Sequence, residues 1–236
     1  MSVKRKASEV FDDVKEDSVR IKIDKEPFFE IENVTTTDMI LRIKKLDDSL
    51  LTLLKNKDVG KLKNENTIIR LRIEFHDTYD VKYLKKEGHI LEAFISYITN
   101  ICPKLDSLTL VGLELESVNT SFFRNNPNLK FLKLSDNKLK DLPVQCFEKN
   151  KVVLTIDLSN NLFPRIPFMT FKHVSKTLMG LNMSGNPLTT WSGIYYLEFV
   201  NLERLDLSHC GLESVPIYLL SSCKYLHILN LSFNKL

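Results

Sequence analysis

A regularly repeated unit constrains the fold of this chain more than any other feature, with a period of about 24 residues. The spacing between successive openings of the unit is constant to within one position. The apolar residues that open the six units are Leu105, Leu129, Val153, Leu178, Leu202 and Leu226. Near-constant register of this kind predicts a solenoid, in which each unit buries its apolar edge against its neighbours.

Each unit contains a short alternation of apolar and polar residues, as in Leu132-Lys133-Leu134. The alternation predicts a strand with one side buried and the residue between exposed, and stacked units would align such strands into a parallel sheet. Asparagines follow the strands at Asn137, Asn161, Asn186 and Asn234, with Leu113 and Cys210 in the other two units. A buried amide there can bond backbone groups of the turn and of the adjacent coil.

Phenylalanines recur at one fixed place within three of the units, at Phe123, Phe147 and Phe171. They predict a stacked aromatic spine inside the solenoid, on the side away from the strands.

Segments such as LKFLKLSDNKLKDLP and LERLDLSHCGLESVP resemble the leucine-rich-repeat family, in the 24-residue class written LxxLxLxxNxLxxLPxxxFxxLxx. The resemblance covers residues 105–236. It implies an α/β fold, a curved right-handed horseshoe with a parallel sheet on its concave face. It says little about function, because one fold serves many functions.

The first hundred residues depart from the repeat. Apolar steps of three and four from Asp38 to Leu54 predict an amphipathic helix, with the threonines 35–37 as capping candidates. Alternation over 66–75 predicts a strand, in which Leu71 is equivalent to Leu108, and residues 81–101 predict a second helix.

We therefore predict three regions. Residues 1–30 form a mobile tail of mixed charge. Residues 31–104 form a helical N-terminal cap with a divergent first repeat, with an independent small domain as the alternative. Residues 105–236 form six repeats, the last incomplete because the sequence stops inside the unit. That open edge predicts a continuing chain, or pairing with a partner or a second copy.

Bulk properties favour an intracellular protein, cytoplasmic or nuclear. There are 33 basic and 30 acidic residues, a balance that argues against a nucleic-acid or membrane partner. No secretory leader or membrane span is apparent. The triplet Lys4-Arg5-Lys6 fits either a nuclear-import signal or a solvated tail. The four cysteines are dispersed and predict neither a disulfide framework nor a zinc site.

No motif for nucleotide binding, metal binding or nucleophilic catalysis is present. We therefore predict a protein that is not an enzyme and that needs no cofactor or metal. The function predicted is a non-catalytic scaffold that binds a protein partner. The alternatives are a substrate-recognition adaptor of a ubiquitin ligase, docking through the helix at 38–54, and a module of the RNA-export type.

The predicted binding site is the concave face, where aromatic and arginine side chains are the usual hot spots. The serines two residues beyond the strand centres are consensus positions without a binding role. The predicted contact residues are Phe131, Lys133, Asp157, Asn182, Arg204, Asp206, Ile228, Asn230 and Phe233.

Overall fold

The computed structural model describes residues 29–33, 37–44, 46–55, 68–75, 79–80, 84–191 and 198–236. Within them one nine-stranded sheet runs the length of the chain, with the strands in sequence order. The first pair is antiparallel and the following pairs are parallel. The strands are β1 (Phe29–Asn33), β2 (Asp38–Ile43), β3 (Arg70–Phe75), β4 (Ser107–Leu110), β5 (Phe131–Lys133), β6 (Thr155–Asp157), β7 (Gly180–Asn182), β8 (Arg204–Asp206) and β9 (Ile228–Asn230).

Helices lie in the crossovers that parallel strands require. They are α1 (Asp48–Lys55), α2 (Leu84–Ile101), α3 (Ser121–Arg124), α4 (Phe168–Phe171) and α5 (Ile217–Ser222). The longest, α2, packs against α1 and α3. None of the described helices combines the length and the apolar character needed to cross a membrane.

One row of the core runs across the sheet, with one apolar side chain from each of the strands β2 to β9 in register with the next. Leu71 pairs with Leu108, which pairs with Leu132, and the row continues to Leu205 and Leu229. Leu205 is 1% exposed, whereas Leu229, with one neighbouring strand, is 37% exposed. Burial of each leucine contributes about 1.5–3 kcal/mol, so stacking of coils stabilises even very short strands.

The asparagines after the strands bridge adjacent coils, as predicted. Asn137 Oδ1 accepts from the backbone N–H groups of Leu113 and Leu115 at 3.0 and 3.1 Å, and its Nδ2 donates to the Leu110 carbonyl at 2.8 Å. Asn161 repeats the arrangement one coil later. One buried amide thus satisfies backbone groups that a leucine would leave unpaired.

Cys210 takes the asparagine position with a more weakly hydrogen-bonding group. Its Sγ donates to the Met183 and Ser208 carbonyls at 3.3 Å. On the acceptor side, the backbone N–H of Asn186 bonds the Cys210 sulfur, whereas the Leu188 N–H bonds the Asn186 carbonyl instead. The four cysteines are buried and unpaired, and burial raises the pKa of the thiols of Cys146, Cys210 and Cys223.

The aromatic spine is present and longer than predicted. Phe123 stacks on Phe147 with ring centroids 5.7 Å apart, and Phe147 on Phe171 at 6.4 Å. Phe199 then extends it, 6.2 Å from Phe171. The fixed spacing missed Phe199, because this ring comes later in its unit than the other three do in theirs.

The predicted helix from Asp38 was wrong in its first half. Met39, Leu41 and Ile43 are buried and the residues between them are partly exposed, which is the period of strand β2. The helix α1 begins at Asp48, and Asp47 Oδ1 accepts from the backbone N–H groups of Ser49 and Leu50. The spacing of apolar residues over 38–43 fits the period of a helix and that of a strand. Pairing with β3 makes the strand the more stable choice.

The strand and the second helix predicted in the N-terminal part are confirmed. The strand expected at 66–75 is β3, the helix expected at 81–101 is α2, and Leu71 lies in register with Leu108. Because β2 and β3 belong to the same sheet as the repeats, the sheet is continuous from residue 29 to residue 230. The tail predicted at 1–30 lies almost wholly outside the described residues.

Candidate functional site

The side of the strands turned away from the core is called here the sheet face. Two columns of side chains cross it in the six repeats, because register is kept from strand to strand. The flanking column is Ser107, Phe131, Thr155, Gly180, Arg204 and Ile228. The central column is Thr109, Lys133, Asp157, Asn182, Asp206 and Asn230.

A recess of about 400 Å³ lies on the sheet face over β5 to β9. Gly180 stands in register with Arg204 and adds no side chain to the sheet face, although the glycine itself is buried. The recess brings together seven of the nine predicted contact residues, with Leu181 and Leu205 as further lining. The seven are Lys133, Asp157, Asn182, Arg204, Asp206, Ile228 and Asn230.

Asp157 is not the solvent-facing side chain that was predicted. It is 6% exposed, and its Oδ1 accepts from the Ser159 N–H at 3.0 Å and the Ser159 hydroxyl at 2.7 Å. These two hydrogen bonds join residues two positions apart and hold the Asp157 carboxylate against the turn that follows β6. Asp157 thus borders the recess mainly as a structural group.

The same bond recurs in the next three coils. The central side chain accepts from the N–H and hydroxyl of the serine two residues later in Asn182–Ser184, Asp206–Ser208 and Asn230–Ser232. The serines two residues beyond the strand centres, which were predicted only as consensus positions, therefore have a structural role in these four coils. The signal was present in the sequence, as Asp or Asn two residues before Ser in four successive coils.

Neighbouring coils are also linked across the sheet face. Lys133 Nζ lies 3.9 Å from Asp157 Oδ2, and Asn230 Nδ2 donates to Asp206 Oδ2 at 2.9 Å. Arg204 differs: within the described residues its side chain has no ion pair or hydrogen bond.

Two predicted contact residues, Phe131 and Phe233, lie outside the recess. Phe131 is partly exposed on β5. Phe233 is 76% exposed and its ring stacks on His209, with centroids 4.2 Å apart.

The stacked pair belongs to what we call the turn column, the residue before each asparagine position. All its members have positive φ: Gly112, Asp136, Asn160, Gly185, His209 and Phe233. Glycine, asparagine and aspartate adopt this left-handed conformation readily, whereas bulky side chains do so at a cost. His209 and Phe233 were not recognised as strained from the sequence.

A second recess of about 820 Å³ lies beside the turn column, next to His209. Its lining includes Pro187, Leu188, Trp191 and Leu212. Sequence reasoning did not identify it. Across the described part of the chain, no cluster of three His, Cys, Asp or Glu side chains could hold a metal ion.

The N-terminal part of the sheet face is occupied by ion pairs. Glu74 accepts from Arg42 Nε and lies 2.7 Å from Arg72 Nε, and Asp38 accepts from Arg70 Nε at 2.6 Å. Beside them, burial raises the pKa of Asp106, an effect that Lys130 opposes.

Sequence comparison assigns the repeat to a family. The family described as "Leucine rich repeat" matches residues 103–163, and a second profile, "Leucine Rich Repeat", matches residues 201–223. Two relatives are the rat "Leucine-rich repeat-containing G-protein coupled receptor 5", 34% identical over 115 residues, and the mouse "Leucine-rich repeat serine/threonine-protein kinase 1", 35% identical over 123. These matches cover 48% and 46% of the chain, and it spans 12% and 6% of those relatives.

Solved structures with a similar fold include the leucine-rich repeat domain of APL1B and the complex of Toll with Spatzle from Drosophila. The first is 18% identical with a TM-score of 0.41 and covers 79% of this chain and 58% of that one. The second is 13% identical with a TM-score of 0.47 and covers 89% and 45%. Similarity at this level concerns the fold alone.

Proposed function

The chain is a leucine-rich-repeat protein, and we propose that it acts as a non-catalytic interaction module that binds a protein partner through the sheet face. The recess over β5 to β9 carries this proposal. It joins exposed aliphatic surface at Ile228 with the cations Lys133 and Arg204 and with amides. That mixture is typical of a protein-binding surface, and an extended sheet offers it to a partner over several coils.

The distribution of hydrogen bonds supports a binding role for only part of this surface. Asp157, Asp206 and the serines hold the turns, so partner contacts are expected from the groups that the fold engages least. These are Arg204, Ile228 and Lys133, of which Lys133 makes only a long contact of 3.9 Å with Asp157.

Neither alternative function gains an observation in its favour. The helix proposed to dock a ubiquitin-ligase subunit would span 38–54, but residues 38–43 are strand β2. An RNA-binding face would need free cations, and on the N-terminal strands Arg42, Arg70 and Arg72 already lie beside carboxylates.

The test is affinity capture with matched variants, followed by direct binding of each purified partner. The face variant combines Lys133→Glu, Arg204→Glu and Ile228→Asp, which spares the structural Asp157. The control combines Val144→Asp, Lys149→Glu and Lys172→Glu, exposed residues away from the sheet with the same change in formal charge.

We expect the face variant to lose about 2 kcal/mol or more of binding free energy, the range of an interface hot spot, and the control to bind as the parent does. Urea unfolding of both variants verifies that they fold. Equal affinities of the face variant and the parent for every captured partner would refute the proposal.

A further inference from the structure

Arg204 stands apart from the other described cations of the sheet face. Arg42, Arg70, Arg72 and Lys133 each lie within 4.0 Å of a carboxylate oxygen. Arg204 has neither an ion pair nor a side-chain hydrogen bond within the described residues. Its five N–H donors therefore remain available in the recess.

The surroundings of Arg204 leave room for a ligand. Arg204 lines the recess of about 400 Å³ together with Asn182 and Ile228. Gly180, in register with Arg204 on β7, is buried and is not part of that lining. Asn182, two residues further on, uses its Oδ1 for Ser184, and its Nδ2 has no partner within the described residues. A guanidinium and an amide N–H thus border the same recess.

The anions of the recess are already engaged. Asp206 accepts from the Ser208 N–H and hydroxyl and from Asn230 Nδ2, at 2.9, 2.7 and 2.9 Å. Asp157 accepts two bonds from Ser159 and faces Lys133. A cationic ligand would have to displace these bonds, whereas an anionic ligand meets donors that have no partner among the described residues.

We propose that Arg204 receives the carboxylate of an acidic side chain in the protein partner, seated in the recess and reached also by Asn182. The planar guanidinium suits a carboxylate because it can donate two parallel hydrogen bonds. Ile228, in register with Arg204 on the other side and 48% exposed, would contact an apolar neighbour of the acidic residue. This inference rests on the proposed function, since it names the group that the recess recognises.

The test uses two peptides that differ only in charge. They are Ac-Ser-Val-Glu-Val-Ser-amide and the same peptide with Gln in place of Glu, titrated into the full ¹⁵N-labelled chain. The reporters are the arginine Nε–H signals, assigned by substitution. We expect saturable movement of the Arg204 signal with the Glu peptide, and affinity about tenfold lower for the Gln peptide.

Arg204→Gln should lower the affinity for the Glu peptide by about tenfold. The control Arg165→Gln removes an arginine that pairs with Asp141 outside the recess, and it should leave the affinity unchanged. Equal affinity for the two peptides, unchanged binding in Arg204→Gln, or no saturable movement would overturn the inference. Tighter binding of a Gln peptide that carries a free C-terminal carboxylate would also overturn the inference. The site would then recognise the end of a chain and not an acidic side chain. The two proposals can fail separately. If only the Glu peptide moves the Arg204 signal, the inference is supported. If the face variant nevertheless still binds its partners, that result counts against the proposed function alone.

Discussion

The irregular N-terminal strands and the regular coils share one sheet but are stabilised in different ways. Over β2 and β3 the face is held by partly exposed ion pairs, such as Arg42 with Glu74. From β4 onward, buried side chains bond backbone groups of the adjacent coil, as Asn161 does. In the regular part the coils are therefore joined mainly by buried amides, and Arg204 takes no part in these bonds among the described residues.

Removing a buried bridge in the regular part should have the largest effect. Asn161→Leu leaves the buried Leu139 N–H without its acceptor and removes one of the two amide bonds to each of the Leu134 and Leu158 carbonyls, which keep those from Asn137 and Asn186. We expect a loss of about 2–3 kcal/mol in the free energy of unfolding, measured in urea. Asn128→Leu, at an exposed asparagine, is the control. A loss below about 1 kcal/mol would show that the asparagine ladder does not distinguish the two regions.

The carboxylate buried at the face comes next. Asp157→Ala removes both bonds to Ser159 and the neighbour of Lys133, and we expect a loss of about 2 kcal/mol. Asp141→Ala, which removes an exposed carboxylate paired with Arg165, should cost about 0.5 kcal/mol. Similar losses from the two substitutions in thermal or urea unfolding would mean that Asp157 is a surface group after all.

Strain in the turn column can be measured by comparing two substitutions at one site. His209→Ala and His209→Asn both remove the stack on Phe233, but only asparagine readily adopts the positive φ. We expect the Asn variant to be more stable than the Ala variant by about 1 kcal/mol. The control is the same pair of substitutions at Lys140, whose φ is not positive, where the Asn variant should be no more stable than the Ala variant. Greater stability of the Asn variant at Lys140 as well would mean that strain does not explain the difference at His209.

The N-terminal ion pairs should have the smallest effect. Glu74→Gln weakens the contacts with Arg42 and Arg72, and because these groups are partly exposed we expect a loss of about 0.5–1 kcal/mol. The loss should shrink in 1 M salt, at which the Debye length is about 3 Å. Unfolding at low and high salt checks this, with Glu148→Gln as the control. A large loss of unfolding free energy that does not depend on salt would mean that Glu74 stabilises the fold as the buried asparagines do.

The repeat made much of the fold predictable because its rules are local. The spacing located strands β4 to β9, the asparagine bridges and three rings of the spine. Prediction failed where local patterns conflict or where contacts cross coils. Residues 38–43 fitted helical spacing and strand alternation alike, and only the neighbouring β3 made the strand the better solution.

The candidate site shows the same division. The period alone determined which side chains lie on the sheet face, because alternation within a strand assigns each residue to one side. The bond from Asp157 to Ser159 has a local signal in the sequence, whereas only the tertiary structure decided that Arg204, between Gly180 and Ile228, has no hydrogen bond or ion pair among the described residues. Such differences depend on neighbours one repeat away in each direction, whose side chains compete for the same hydrogen bonds and space.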